Sequence, residues 1–125
     1  MSDLVYEAPR EYSRKEAAEI FASEDIDSIL RLMVGLAYYD PDWKWVQDKC
    51  LTLSEHKVFN LRYIAALCFS HLARIHGELD LNQVRPVLLR LENDPEPYVR
   101  GMATEAIEDI EHFLTVDLRD ASQFN

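Results

Sequence analysis

Glycine and cysteine are scarce in this sequence, and no long apolar run occurs. Only three glycines and little alternation of β-branched residues argue against a sheet protein. Cys50 and Cys68 fall within apolar helical stripes, so we expect buried thiols in a reducing cytoplasm rather than disulfides. No apolar run approaches the roughly 20 residues that span a bilayer, and the first residues lack the features of a secretory signal. These absences predict a cytoplasmic protein.

The usual motifs of catalysis and cofactor binding are also missing from the sequence. It contains no glycine-rich phosphate loop and no Gly-x-Ser-x-Gly elbow. The four histidines and two cysteines lack zinc-ligand spacing, and the stretch Asp109–His112 resembles half of a carboxylate metal site whose other half is absent. A thiol in a core stripe is inert. We therefore expect no cofactor, no metal site and no enzymatic activity.

Basic residues are few: 13 stand against 23 acidic ones, which gives a formal net charge of −10. Such a charge repels phosphate backbones, so we expect no direct binding to nucleic acid. The charge is uneven, because residues 31–91 hold eight basic and six acidic residues, whereas residues 92–125 hold two and nine. The acidic end either serves solubility alone or steers a basic protein partner towards the chain.

Apolar residues at helical spacing are abundant, and turn signals separate them. The stretches Ser13–Glu16 and Asp80–Gln83 have the pattern of a capping box at a helix start. Asp40 is predicted to cap a helix that has Pro41 in its first turn. Gly77 is predicted to end another helix in the left-handed conformation.

A sequence pattern in the second half of the chain, Leu91–Ala103, recurs less exactly at Leu53–Ala65. Each copy ends one apolar helix and begins another, and the arginines Arg62 and Arg100 lie 38 positions apart. A period of about 20–50 residues is typical of stacked helical repeats, which usually bind other macromolecules. The spacing predicts one domain with loosely held ends and three helix pairs, at about residues 13–39, 42–76 and 81–114.

The third pair resembles a HEAT repeat. The matching residues are Leu88, Leu91, Asp94, Pro95, Val99, Arg100, Ala103, Ala106 and Ile107. The resemblance implies an all-α fold, a short right-handed α-solenoid of about three HEAT-like helix pairs. It also implies that Asp94 and Arg100 hold neighbouring repeats together. The middle pair keeps the arginine as Arg62 but has His56 where the aspartate would be.

The stretches Tyr39–Gln47 and His71–Gly77 resemble those of small bacterial HEAT-like proteins, some of which are immunity proteins of contact-dependent growth inhibition systems. This resemblance implies a non-catalytic protein that neutralises a basic toxin, such as a nuclease, through an acidic groove. The second helices of HEAT pairs line the concave surface, which implies these partner-binding residues: Tyr63, Ser70, Arg74, Glu105, Glu108, Asp109, Glu111 and His112. Trp45 is either buried with Trp43 or an exposed anchor for the partner.

Two other functions stay open from the sequence. A scaffold or regulatory adaptor would bind an endogenous cytoplasmic protein, and its interface would be the Trp/Tyr surface rather than the acidic one. A small HEAT-like enzyme would be a DNA-base glycosylase or a chromophore lyase. The glycosylase needs a basic groove, which the net charge of −10 disfavours. For the binding functions we expect a monomer, or a heterodimer with the partner.

Overall fold

The computed structural model describes residues 8–124, and this part of the chain is helical without any β-strand. An all-helical protein was predicted, and this is confirmed. The six α-helices are α1 (Arg14–Ser23), α2 (Ile26–Tyr39), α3 (Trp43–Leu53), α4 (Phe59–His76), α5 (Leu81–Leu91) and α6 (Pro97–Leu114), followed by a short 3-10 helix, Ala121–Gln123. None of the described helices is long and apolar enough to cross a membrane.

The central helix is α4, which packs against α2, α3 and α6 and more lightly against α5. The helices α2, α4 and α6 run in the same direction. Tyr38 and Arg74 are in contact near the carboxyl-terminal ends of α2 and α4. Ser70 contacts Asp109 at about the same distance along α4 and α6. These three helices form one layer, while α1, α3 and α5 each pack on the helix that follows. We name the exposed side of the layer, which carries Tyr63 among others, the even-helix face.

A continuous apolar cluster joins all six helices. Its largest fully buried side chains include Phe69 and Leu72 of α4, and each such side chain contributes roughly 1.5–3 kcal/mol to stability. Both cysteines are buried and unpaired, as expected. Burial, together with a hydrogen bond to Cys68, raises the pKa of the Cys50 thiol well above its ordinary value. These thiols therefore belong to the α3–α4 contact.

Two of the predicted helix caps are confirmed and two are wrong. Ser13 begins α1 with both bonds of a capping box, and Gly77 ends α4 at φ 69°. Asp80 does precede the first residue of α5, but the predicted capping box does not form: the Asp80 side chain makes no cap bond, and its N–H donates to Gln47 Oε1 at 2.7 Å instead of to Gln83. The residue that caps α3 is Asp42, whose carboxylate accepts from the Trp45 N–H.

Asp40, predicted to cap α3, instead ends α2. Its backbone N–H donates to Leu36 O, and its carboxylate accepts from the Asp42 N–H at 2.9 Å. A second contact of the carboxylate comes from Arg14 of α1, at 3.2 Å. Pro41 consequently lies in the turn between α2 and α3 rather than in the first turn of α3. Asp40 therefore links the turn to α1.

The 38-residue spacing is repeated in the hydrogen bonds of two turns. Nη1 of Arg62 and of Arg100 donates to the carbonyl oxygen six residues earlier, at 2.8 Å in both turns. The side chains of the residues at that earlier position, His56 and Asp94, accept from the N–H two residues further on, at 3.0 and 2.9 Å. A histidine ring thus reproduces one bond of the aspartate, and the two turns have the same local construction.

The carboxyl-terminal tail is held against α5 and α6, so the expectation of a loose end is wrong there. Leu118 is only 1% exposed. Its N–H donates to Glu111 at 2.8 Å, and its carbonyl oxygen accepts from Arg85 at 2.6 Å. Arg119 donates to Glu92 at 2.8 Å. One apolar residue in a polar stretch is a weak sequence signal, yet its burial fixes the tail.

The amino-terminal segment 8–12 crosses α2 at Gly35. A Cβ at this glycine would lie 2.3 Å from the Arg10 carbonyl oxygen and 2.6 Å from the Tyr12 ring, so only glycine permits the approach. Tyr12 packs against the buried cluster. A loose end was also predicted here, and this is wrong for residues 8–12. Residues 1–7 and 125, covered by the same prediction, lie outside the described residues.

Candidate functional site

A groove of about 940 Å³ opens on the even-helix face. The segment 8–12 forms one wall, and the floor and opposite wall come from α2, the beginning of α4 and the beginning of α6. The large apolar side chains among its described lining residues are Tyr12, Leu30, Val34, Phe59, Tyr63, Ile64 and Tyr98. Tyr98 is 70% exposed and Phe59 38%, so the groove presents aromatic rings to solvent. We name it the aromatic groove.

The charged side chains among the described lining residues of the aromatic groove are arginines. Arg10 and Arg31 line it, and no carboxylate occurs among the described residues of its lining. The Arg10 guanidinium lies 3.7 Å from the centre of the Tyr12 ring and 3.3 Å from a Glu16 oxygen, so its position is defined.

The predicted acidic residues lie further along α6. Glu105, Glu108 and Asp109 are all exposed. Tyr98 and Glu105 are separated by about two helical turns, or about 10 Å at 1.5 Å per residue. Glu105 and Asp109 are four positions apart and share one side of the helix. The aromatic groove and these carboxylates therefore occupy successive parts of the even-helix face, rather than one acidic groove.

Ser70 was predicted to contact a partner, but the structure buries it. The side chain is 5% exposed, and its hydroxyl donates to Asp109 at 2.8 Å. The bond joins α4 to α6, so the hydroxyl is already used within the fold. Asp109 remains exposed, but one of its oxygens accepts this bond.

Arg74 lies at the other end of α4 in a polar cluster with His71 and Tyr38. Its guanidinium donates to His71 Nδ1 at 3.1 Å and to the Tyr38 hydroxyl at 3.4 Å. The Tyr38 and His71 rings meet edge to face with 5.0 Å between centres. Burial and the positive charge of Arg74 lower the pKa of His71, while Asp109 opposes them. Arg74 is exposed, so the cluster is accessible to a partner.

Three predicted partner-binding residues are not brought together with the rest. Glu111 accepts from the Leu118 N–H and holds the tail. His112 packs edge to face against Phe113, with ring centres 5.0 Å apart. Trp45 lies on α3, outside the even-helix layer, and is half-buried beneath the Arg14 guanidinium, 3.6 Å from its ring centre. Neither a fully buried nor a freely exposed Trp45 describes this arrangement.

The turn before α6 is surrounded by Asp94 and Arg100, which were predicted to hold the repeats together, and by Arg62. Arg62 of α4 makes two bonds to the Asp94 carboxylate, of 2.8 and 3.0 Å. Arg100 bonds to the Asp94 carbonyl oxygen. Burial favours the neutral carboxyl, but the bonds from Arg62 and from the Glu96 N–H outweigh it and lower the Asp94 pKa. A bidentate, mostly buried pair thus connects the middle helix pair to the third.

Sequence reasoning missed most of the aromatic groove, including Tyr12, Arg31, Phe59 and Tyr98. Tyr98 carried a detectable signal, because it lies seven positions before Glu105 on the same helical stripe. The amino-terminal wall had no local signal, since it depends on the approach to Gly35. Within residues 8–124, no group of three or more His, Cys, Asp or Glu side chains is arranged to hold a metal ion.

Comparison with known proteins finds a similar fold in a solved structure. No protein-family model and no curated protein matches this chain. A crystal structure described as a CDI complex from Cupriavidus taiwanensis LMG 19424 contains a chain of similar fold. The TM-score is 0.76 and the sequence identity is 28%, over 90% of this chain and 97% of that chain. This chain is thus similar, over almost its whole length, to one component of a CDI complex.

Proposed function

We propose that this chain is a non-catalytic, cytoplasmic immunity protein that binds and neutralises the toxin of a contact-dependent growth inhibition (CDI) system. The observation that carries the proposal is the similarity to a CDI complex component at a TM-score of 0.76 over 90% of the chain. The net charge of −10 supports the immunity side of such a complex, because toxins that attack nucleic acids need basic surfaces.

The proposed interface is the even-helix face. Tyr63 supplies an aromatic contact of the kind that dominates binding energy, and Arg74 lies further along the same helix. Glu105, Glu108 and Asp109 attract lysine and arginine side chains of the toxin, which speeds association and covers groups that the toxin needs for its substrate. Neutralisation is therefore steric and electrostatic.

The architecture that we propose is a right-handed HEAT-like solenoid of three helix pairs. The matching hydrogen bonds of the two turns 38 residues apart support it, as does the Arg62–Asp94 pair between successive helix pairs. A stacked solenoid forms an extended binding surface on one side. The even-helix face would be that surface.

Affinity capture from the native cells tests the immunity function. The tagged protein is purified and its partners are identified by mass spectrometry. We expect one stoichiometric partner that kills cells when expressed alone and is harmless when this chain is co-expressed. Recovery of an ordinary metabolic or signalling protein, with no toxicity, would contradict the immunity function.

That contrary result would favour the second candidate, a scaffold or regulatory adaptor for an endogenous protein. The aromatic groove supports this candidate, because a partner that binds there need not be basic. The two candidates are separated by toxicity of the partner, which the capture experiment measures directly.

A further inference from the structure

We propose that His71 is a pH-dependent switch on the even-helix face, which holds the Arg74 guanidinium in place when the imidazole is neutral and releases it when the imidazole is protonated. The protonated ring turns towards Asp109 instead. The switch is a property of this chain alone. Its effect on partner binding rests on the proposed function, in which Arg74 belongs to the interface.

The hydrogen bond between Arg74 and His71 requires a neutral ring. Arg74 Nη2 lies 3.1 Å from His71 Nδ1. A guanidinium group only donates hydrogen bonds and remains charged in proteins, so Nδ1 is the acceptor and the ring proton is on Nε2. Protonation adds an N–H at Nδ1, which removes the acceptor and places a second positive charge beside Arg74. The bond is therefore lost when His71 is protonated.

Both groups have an alternative environment after protonation. Asp109 approaches from α6, where it accepts from the hydroxyl of Ser70, the residue before His71, at 2.8 Å. The attraction of its carboxylate favours the protonated imidazole. Arg74 is exposed, and its contacts are with neutral groups, which are His71 and the hydroxyl and ring of Tyr38. It can therefore move into solvent without breaking an ion pair.

The groups around His71 determine the pH range of the switch. They are Arg74 on the same helix, Tyr38 on α2 and Asp109 on α6. Among the described residues, α3 and α5 add no charge that acts on this imidazole. Burial and the charge of Arg74 outweigh Asp109, so the pKa of His71 is lower than the ordinary value of 6.5. The bond to Arg74 is thus complete at neutral pH and is lost as the pH falls through that lowered pKa.

A pH titration of the chain between pH 5 and 8, followed by NMR, tests the switch. The signals observed are the imidazole nitrogens of His71 and the Nε–H group of Arg74. We expect His71 to titrate with a midpoint below pH 6.5 and the Arg74 signal to shift with the same midpoint. Arg74→Ala removes the neighbouring positive charge and should raise the pKa of His71.

Two histidine variants show whether His71 causes the shift of the Arg74 signal. His71→Asn keeps a hydrogen-bond acceptor near the position of Nδ1 but does not titrate, so the Arg74 signal should stay constant. His112→Asn is the matched control, because it removes an exposed imidazole on α6, and it should leave the shift of the Arg74 signal unchanged.

Three results would overturn the inference. They are a His71 midpoint at or above pH 6.5, an Arg74 signal that stays constant while His71 titrates, and an unchanged shift of the Arg74 signal in His71→Asn. The natural chain decides the first two even if His71→Asn does not fold.

The effect on binding is measured with the partner that the capture experiment recovers. Between pH 7.5 and 5.5, the natural chain should lose roughly fivefold more affinity than His71→Asn, the lower end of the usual coupling between two sites. Protonation displaces Arg74 and adds positive charge to a face that attracts a basic partner. Equal losses would overturn this effect on binding. Because the titration uses no partner, its failure and failure of the capture experiment are distinguishable.

Discussion

Asp94 connects the second helix pair to the turn before α6 and to α6 itself. Its side-chain oxygens accept from Arg62 of the preceding helix pair and from the Glu96 N–H, while its carbonyl oxygen accepts from Arg100. At 7% exposure, the residue is shielded from solvent. Removing the charge leaves the Arg62 guanidinium without its counterion in a partly buried place, which costs more than an exposed ion pair would.

We expect Asp94→Asn to lower the free energy of unfolding at pH 7 by about 2 kcal/mol, the range for charged hydrogen bonds. Because the folded-state pKa of Asp94 is lowered, the ionised carboxyl stabilises the fold above its unfolded-state pKa of about 3.9. That stabilisation disappears as the pH falls through the lower folded-state pKa. Urea unfolding of both proteins between pH 2.5 and 7 measures it.

The difference between the two proteins should therefore shrink below about pH 4. Asp48→Asn is the control, because Asp48 is exposed on α3 and its replacement should change stability by less than about 0.5 kcal/mol. A difference between Asp94→Asn and the natural chain that stays constant down to pH 2.5 would contradict a role for the ionised carboxyl.

The features of the helices that could be predicted are those that depend on residues close together in the sequence. Apolar periodicity predicted helices, and Ser13 with Glu16 predicted the start of α1, because both operate within one or two turns. The failed prediction at Asp80 depended on Gln47, which is 33 residues away and takes the Asp80 N–H. Contacts of that range decide local structure without leaving a pattern in the local sequence.

The amino-terminal segment is an element whose position rests on one glycine. We expect Gly35→Ala to push residues 8–12 away from α2, because the new Cβ would lie 2.3 Å from the Arg10 carbonyl oxygen. Stability should fall by about 1–3 kcal/mol, as for other overpacked sites. Amide hydrogen exchange at residues 11 and 12 should become faster, and thermal unfolding gives the stability change.

Gly101→Ala is the matched control for this experiment. Gly101 lies within α6 with open space where a Cβ would be, so alanine should stabilise the helix by roughly 0.5–1 kcal/mol. The two identical substitutions should thus have opposite effects. If Gly35→Ala unfolds at the same temperature as the natural chain, the segment does not depend on this approach.

For the whole molecule, the resemblance to HEAT repeats was what predicted a common surface for Tyr63, Arg74 and Glu105, since helical periodicity indicates only which residues share a side of one helix. It did not predict the aromatic groove, whose amino-terminal wall depends on the Gly35 approach. Nor did it predict that Ser70 is used within the fold by Asp109, a bond between two helices. The predicted partner-binding role of the remaining residues awaits the experiments.

The distribution of charge, rather than its total, is the last property of the whole molecule to be tested. We expect the pair Glu105→Lys and Glu108→Lys to slow association with the captured toxin about tenfold at low salt, because the steering field at the even-helix face is reversed. Asp109 is left unchanged, since it also bonds to Ser70. Stopped-flow association rates at several salt concentrations measure the effect, and their salt dependence should flatten.

The pair Glu55→Lys and Glu78→Lys changes the net charge equally, at exposed turn positions before and after α4. We expect this control to slow association by less than twofold. An equal slowing by both pairs would mean that net charge alone governs the encounter. No slowing by either would place the interface away from the acidic part of α6, and Tyr63 and Tyr98 would then be the residues to replace next.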